Sequence, residues 1–346
     1  MNARALLFCL LFPFAAIAQG FAGLGSAADG FAVLAPAPVF DFPTDHALHP
    51  DFRIEWWYLT ANITGPDGTD YGLQWTLFRS ALAPEAANGW QSPQLWMGHA
   101  ALTTPDQHFV TERLARGGIG QAGVSANPFA AWIDDWTLAG PGFDQLRMTA
   151  SGPDFAYDVA LTAEGPLVFH GADGYSVKSG DGQASYYYSQ PRYALSGVIT
   201  LPDGTVPVTG SAWLDREWSS QPLSDNQTGW DWFSLSFKSG DKLMGFLLRQ
   251  SDGTSFSSAT WIGHDGTVAA YSDGAFAARP VEQSQVAGGD IPTTWQVTLP
   301  DRGVDVTVSA INRNAWMNVT IPYWEGPVRI TGSHDGRGYL EMTGYE

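Results

Sequence analysis

Apolar and polar positions alternate along much of this chain, and the three-to-four-residue recurrence of a helix is hard to find. Short alternating or aromatic and β-branched runs are cut at close intervals by Pro66-Asp67-Gly68, Pro202-Asp203-Gly204, Lys238-Ser239-Gly240-Asp241, His264-Asp265-Gly266 and Asp335-Gly336. Side chains two apart share a strand face, so the pattern predicts antiparallel strands joined by hairpins, in a sandwich or barrel. Only a brief helix is expected, around Pro128-Phe129-Ala130.

One pattern recurs. Trp56-Trp57-Tyr58-Leu59-Thr60-Ala61-Asn62-Ile63, a Pro-Asp-Gly turn and Tyr71 to Arg79 form an aromatic hairpin ending in arginine. Trp230-Asp231-Trp232-Phe233-Ser234-Leu235-Ser236-Phe237, a Ser-Gly-Asp turn and Leu243 to Arg249 form a second, about 175 positions later. Trp96-Met97-Gly98-His99 and Trp261-Ile262-Gly263-His264 follow the two hairpins at similar offsets. A repeat at half the chain length predicts two related β domains. Their join is expected near Leu201 to Val208, giving domains over 41–204 and 205–346, after a loose Ala-, Gly- and Pro-rich leader over 19–40.

The first 18 residues carry the features of an export signal. Arg4 gives a positive start, Leu6 to Phe14 an apolar run too short to span a membrane, and Ala16-Ile17-Ala18 a small-x-small site before Gln19. Cleavage after Ala18 and a periplasmic or secreted location are expected. Cys9, the only cysteine, lies inside that signal, which excludes disulfides and cysteine chemistry from the remaining 346 − 18 = 328 residues. The net charge of −18 becomes −19 without Arg4, and such a surface repels nucleic acid and anionic membranes. Charged residues make up only 15% of the chain against 13% aromatic, with 15 tryptophans, so large aromatic interiors or binding cavities are expected.

Candidate chemistry concentrates in Trp213-Leu214-Asp215-Arg216-Glu217-Trp218. On a strand, Trp213, Asp215 and Glu217 share one face and Leu214, Arg216 and Trp218 the other. Two acids beside an indole wall favour a raised carboxyl pKa and general-acid chemistry, whereas Arg216 at ion-pair distance would hold Asp215 ionised in a structural cluster. Glu55 stands beside Trp56-Trp57, with Arg53 or Arg79 as alternative partners. Glu55, Asp215, Glu217 and Asp231 would also serve as paired carboxylates of a carbohydrate-active site with tryptophan platforms. Within Ser185-Tyr186-Tyr187-Tyr188-Ser189 the tyrosines offer their hydroxyls to a substrate or form a domain rim. The histidines are scattered, so no metal site is expected, with His46 and His99 as neutral hydrogen-bond partners or proton carriers near a cavity. Gly118-Ile119-Gly120-Gln121-Ala122-Gly123 spells the dinucleotide fingerprint, but its all-β surroundings make it a glycine-rich loop. No G-x-S-x-G elbow occurs, so serine-hydrolase chemistry has no support.

Taken with His46, His49-Pro50, Gln74 to Arg79, Trp96 to His99 and Tyr323-Trp324-Glu325-Gly326, these motifs resemble the AttH-like proteins, grouped with carotenoid 1,2-hydratases (hydroxyneurosporene synthases), over residues 42–345. The resemblance implies an all-β chain of two lipocalin-like antiparallel barrels packed together, with cavities for elongated apolar ligands. It also implies a cofactor-free hydratase that protonates an isolated carbon-carbon double bond and captures the cation with water, Asp215 being the acid and Trp213 and Trp230 cation-facing walls. The hydratases place a histidine and a tryptophan near the position of this chain's tyrosine run. Other family members suggest a non-enzymatic lipid carrier working with the permease of an export-type ABC transporter. The expected catalytic set is Asp215, Glu217 and Glu55. The expected ligand-lining set is Trp213, Trp218, Trp230, Trp232, Trp57, Tyr187, His99 and Arg79, with an isoprenoid or other lipid as ligand.

Overall fold

The computed structural model describes residues 22, 24, 26 and 28–345, apart from 86 and 288; the expected signal, Cys9 included, lies outside the described residues. The fold is all-β. The first sheet contains β1 (Ile54–Thr64), β2 (Asp70–Ala81), β3 (Gln94–Thr103), β4 (His108–Arg116), β5 (Ala122–Ala126), β6 (Phe129–Ile133), β7 (Trp136–Gly142), β8 (Gln145–Ser151), β9 (Ala156–Ala163), β10 (Val168–Phe169), β11 (Tyr175–Val177), β12 (Ala184–Leu201) and β13 (Gly204–Ser219). The second contains β14 (Gln227–Phe237), β15 (Lys242–Gln250), β16 (Ser255–Ile262), β17 (Val268–Tyr271), β18 (Ala277–Val286), β19 (Gly289–Leu299), β20 (Val304–Ala310), β21 (Trp316–Met317), β22 (Tyr323–Gly332) and β23 (Gly336–Thr343).

The strand orders are β4-β3-β2-β1-β13-β12-β9-β8-β7-β6-β5 and β17-β16-β15-β14-β23-β22-β20-β19-β18. The second order reproduces the first nine positions of the first, strand for strand, so the two tryptophan hairpins occupy equivalent places. One sheet nearly closes into a barrel and the other forms a half-barrel, the lipocalin-like arrangement. The five turn signals all sit at hairpins: β1-β2, β12-β13, β14-β15, β16-β17 and β22-β23. Gly68 and Gly240 adopt φ of +84° and +90°, a region open to glycine without a Cβ clash.

Two expectations change. Leu201 to Val208 is no join, because Leu201 pairs with Gly204 and β12 with β13 inside the first sheet. The chain crosses between sheets after Ser219 and before Gln227. Pro128-Phe129-Ala130 leads into β6 rather than a helix, since Phe129 and Ala131 alternate inward against β5 and β7. The glycine-rich segment is a turn running into β5, with no helix after it.

The interior of the first barrel is filled, not hollow. Trp57, Trp75 and Trp136 are fully buried there among Leu59, Leu77, Ile133 and Leu138. The second sheet has its own core around Phe233, Trp295 and Trp324. A third apolar cluster lies between the sheets, where Tyr58, Tyr187 and Trp213 of one meet Trp232, Phe246 and Tyr339 of the other. Strands β1 and β13 are therefore covered on both faces, and each face has a different neighbour.

Candidate active site

Strand β13 separates its charges by face. Arg216 points into the first barrel, where its guanidinium lies 3.9 Å over the Trp57 ring. It donates to the Ala47 and Trp56 carbonyls (2.7 and 2.8 Å) and to Glu55 (3.1 Å). Arg79 donates to the other Glu55 oxygen at 2.5 Å, and His49, stacked on Trp218 at 3.8 Å, bonds the same carboxylate. Burial alone would raise the pKa of Glu55, but the His49 hydrogen bond and the two guanidinium charges outweigh it and hold it at about 2. Glu55 is a locked anion.

Asp215 points the other way, into the space between the sheets. It accepts hydrogen bonds from the Trp213 indole (2.6 Å), the Ser189 hydroxyl and Tyr187. Burial is the dominant influence and the nearby Glu217 charge adds to it, so despite those hydrogen bonds the carboxyl is pushed up to about 7. Arg216 makes no contact with it, which removes the ionised structural cluster as an account of Asp215. Ser189 continues outward to His170 Nε2 at 2.6 Å, and His170 Nδ1 meets Thr260 of the second sheet at 2.9 Å. Burial holds the His170 pKa near 3, so the ring is neutral and can only relay a hydrogen bond. Glu217, next on the same face, is paired with Lys178 at 2.8 Å and receives the Ser185 hydroxyl.

The second sheet supplies the facing wall. Trp232 Nε1 donates to the Tyr187 hydroxyl at 3.1 Å, and Trp230 Nε1 donates to Glu341 at 2.7 Å. Burial raises Glu341 to about 7 against the Trp230 and Tyr58 hydrogen bonds. The Tyr58 hydroxyl donates to Glu325, whose pKa burial and the Glu341 charge hold well above the carboxylate range. His99 joins the sheets through Tyr323 (2.9 Å) while its other nitrogen meets Glu112 (3.1 Å). The space between these walls is about 220 Å³. Its walls include Trp56, Tyr58, Phe78, Met97, Phe246 and Leu248, with Ala22 and Leu24 of the leader at its edge.

Of the residues expected from sequence, Asp215, Glu217, Trp230, Trp232, Tyr187 and His99 line this cavity. Arg79 borders it but commits its guanidinium to Glu55, Gln94 and backbone carbonyls. Trp213 supports Asp215 from behind. Glu55, Trp57 and Trp218 are corrected: they face the first barrel's interior and belong to its core and ion-pair cluster. Sequence reasoning missed Glu341, Lys178, Ser189, His170, Tyr58 and Trp56. Glu341 did leave a signal, as an acid inside the apolar run Tyr339-Leu340-Glu341-Met342. Among the described residues, no group of three or more His, Cys, Asp or Glu is placed to hold a metal ion.

Two like-ordered antiparallel sheets around an acid-bearing apolar cavity define a lipocalin-like protein. The chain belongs to the AttH-like family, whose profile matches residues 33–345. A crystal structure of an AttH protein from Nitrosomonas europaea is 33% identical and superposes with a TM-score of 0.83, covering 91% of this chain and 100% of that one. Kievitone hydratase from Nectria haematococca shares the fold at 14% identity and a TM-score of 0.69, over 91% of this chain and 96% of its own. CghA, solved with Sch210972, shares it at 11% identity and 0.57, over 92% and 97%. A search of curated proteins gives no match.

Proposed function

We propose that this protein binds the end of an isoprenoid or similar apolar chain and adds water across its double bond, with Asp215 as general acid. The observation carrying this reading is a carboxyl held near pKa 7 in a cavity walled by aromatic rings. Such a group is protonated often enough near neutrality to donate, and strong enough as an acid to do so. Protonation forms a carbon–hydrogen bond from the alkene's π pair and leaves a cation on the neighbouring carbon. The faces of Trp230, Trp232 and Tyr58 stabilise that cation, and water captures it. No cofactor enters this chemistry.

A volume of about 220 Å³ lies below the ~300–1,000 Å³ typical of whole-ligand pockets, so the cavity suits an end group rather than an entire long chain. Its aromatic and aliphatic walls favour an apolar group over a hydroxyl-rich sugar. That kievitone hydratase, a hydratase by name, uses the same fold is consistent with the reading. Export with cleavage after Ala18, and delivery of ligand by an export-type ABC transporter permease, form part of the proposal. N-terminal sequencing of the mature protein tests the cleavage.

Native mass spectrometry of protein purified from its producing cell tests the chemistry. A hydroxylated ligand on the wild type and the unreacted alkene on Asp215→Asn are expected. The same unaltered lipid on both would replace hydration with simple carriage.

A further inference from the structure

The two halves place an acid at equivalent positions of the cavity. In the first, Tyr58 on β1 stands opposite Asp215 on β13. In the second, Trp232 on β14 stands opposite Glu341 on β23. Strands β1 and β14 correspond in sheet order, as do β13 and β23, and the repeated hairpin sequence sets Tyr58 against Trp232. Asp215 and Glu341 are thus the same position of the repeat, presented from opposite walls. Each accepts an indole N–H, from Trp213 and Trp230 respectively, and both line the same space. The remaining cavity acid, Glu217, is already matched by Lys178.

We infer that Glu341 is the second acid-base group of this cavity, holding negative charge beside the substrate cation and taking the proton released by the captured water. This rests on the hydration reading above. Asp215 gives its proton to one alkene carbon, and the water oxygen bonds to the other. One water proton passes to the Glu341 carboxylate and returns to Asp215 before the next turnover. One alkene and one water yield one tertiary alcohol, and nothing is oxidised or reduced. The Trp230 indole, donating to Glu341 at 2.7 Å, fixes the carboxyl's orientation.

The test uses a stable mimic of the cation, N,N-dimethyloctylamine, which is protonated at neutral pH, and its neutral tertiary-alcohol counterpart of the same shape. Binding of both to the full chain is read by tryptophan fluorescence at fixed pH. Glu341→Gln should weaken the ammonium about tenfold while leaving the alcohol within about twofold, since charge is lost and shape is kept. Glu341→Asp should recover most of the ammonium affinity, which guards against a fold-wide effect. Equal loss of both probes, or loss of neither, overturns the role of Glu341 while leaving the cavity reading standing. A wild type that binds neither probe overturns both.

Discussion

Glu55 and Asp215 sit on neighbouring strands of one sheet, 0% and 2% exposed, and their acidities diverge in opposite directions. Glu55 falls to about 2 and Asp215 rises to about 7. Burial presses both upward, so burial does not distinguish them. The difference is the face each strand offers. Into the first barrel project Arg79, Arg216 and His49, and into the inter-sheet space near Asp215 project a serine, a tyrosine, two tryptophans and Glu217. Neutral donors moderate the rise of Asp215 without reversing it, whereas guanidinium charges reverse that of Glu55 completely. A single strand thus supplies a structural lock with Arg216 and a candidate acid with Asp215, one residue apart.

The largest break in that contrast should come from Arg216→Leu. It strips a buried anion of one of its cations and should cost about 3–5 kcal/mol in urea unfolding at neutral pH. A loss under about 1 kcal/mol would mean that Glu55 is not held by charge.

The two carboxyls should also bend the stability curve in opposite senses. Glu55, lowered from 4.5 to about 2, contributes stability above pH 4.5 that disappears as pH falls through 2. Asp215, raised from 3.8 to about 7, contributes stability below pH 3.8 that disappears as pH rises through 7. A tenfold change in proton affinity between the unfolded and folded chain corresponds to about 1.4 kcal/mol. Asp215→Asn should therefore flatten part of the decline between pH 4 and 7, Glu341 supplying the remainder from its own rise to about 7. Unfolding free energies of both proteins at pH 5 and pH 8 check this, and parallel curves would contradict it.

Lys178→Met should be milder, roughly 2 kcal/mol, because Glu217 keeps the Ser185 hydroxyl as a donor. Calorimetry at neutral pH reads it. The smallest effect belongs to Ser189→Ala, which deletes a donor that lowers Asp215. The Asp215 midpoint should then rise, by about one pH unit or less, in a carboxyl-carbon NMR titration. A midpoint that falls would show that Ser189 does not stabilise the anion.

Much of the fold was legible because its signals are local. Turn residues marked five hairpins, period-two alternation marked strands, and the repeated tryptophan hairpin foretold a second sheet built in the order of the first. The division of β13 into an Asp215 face and an Arg216 face was also readable, since it follows from strand geometry alone. Which face meets the cavity was not readable. On β1 and β13 both faces are buried, so Trp57, Trp218 and Glu55 carried the same sequence signature as true cavity residues. Lys178, Ser189, His170 and Glu341 reach the site through pairings between distant segments, which no local period encodes. The supposed domain join failed for a related reason: Pro202-Asp203-Gly204 is a turn, and a turn does not reveal whether the strands it joins share a sheet.

The central claim is that Asp215 holds a proton near neutrality because it is buried without a cation. Its direct test is a carboxyl-carbon NMR titration of aspartate-labelled protein, with Asp215→Asn identifying the resonance. A midpoint near 7 is the expected result. A midpoint at or below about 4, the ordinary aspartate value, would leave Asp215 ionised at neutral pH and would contradict its role as the acid.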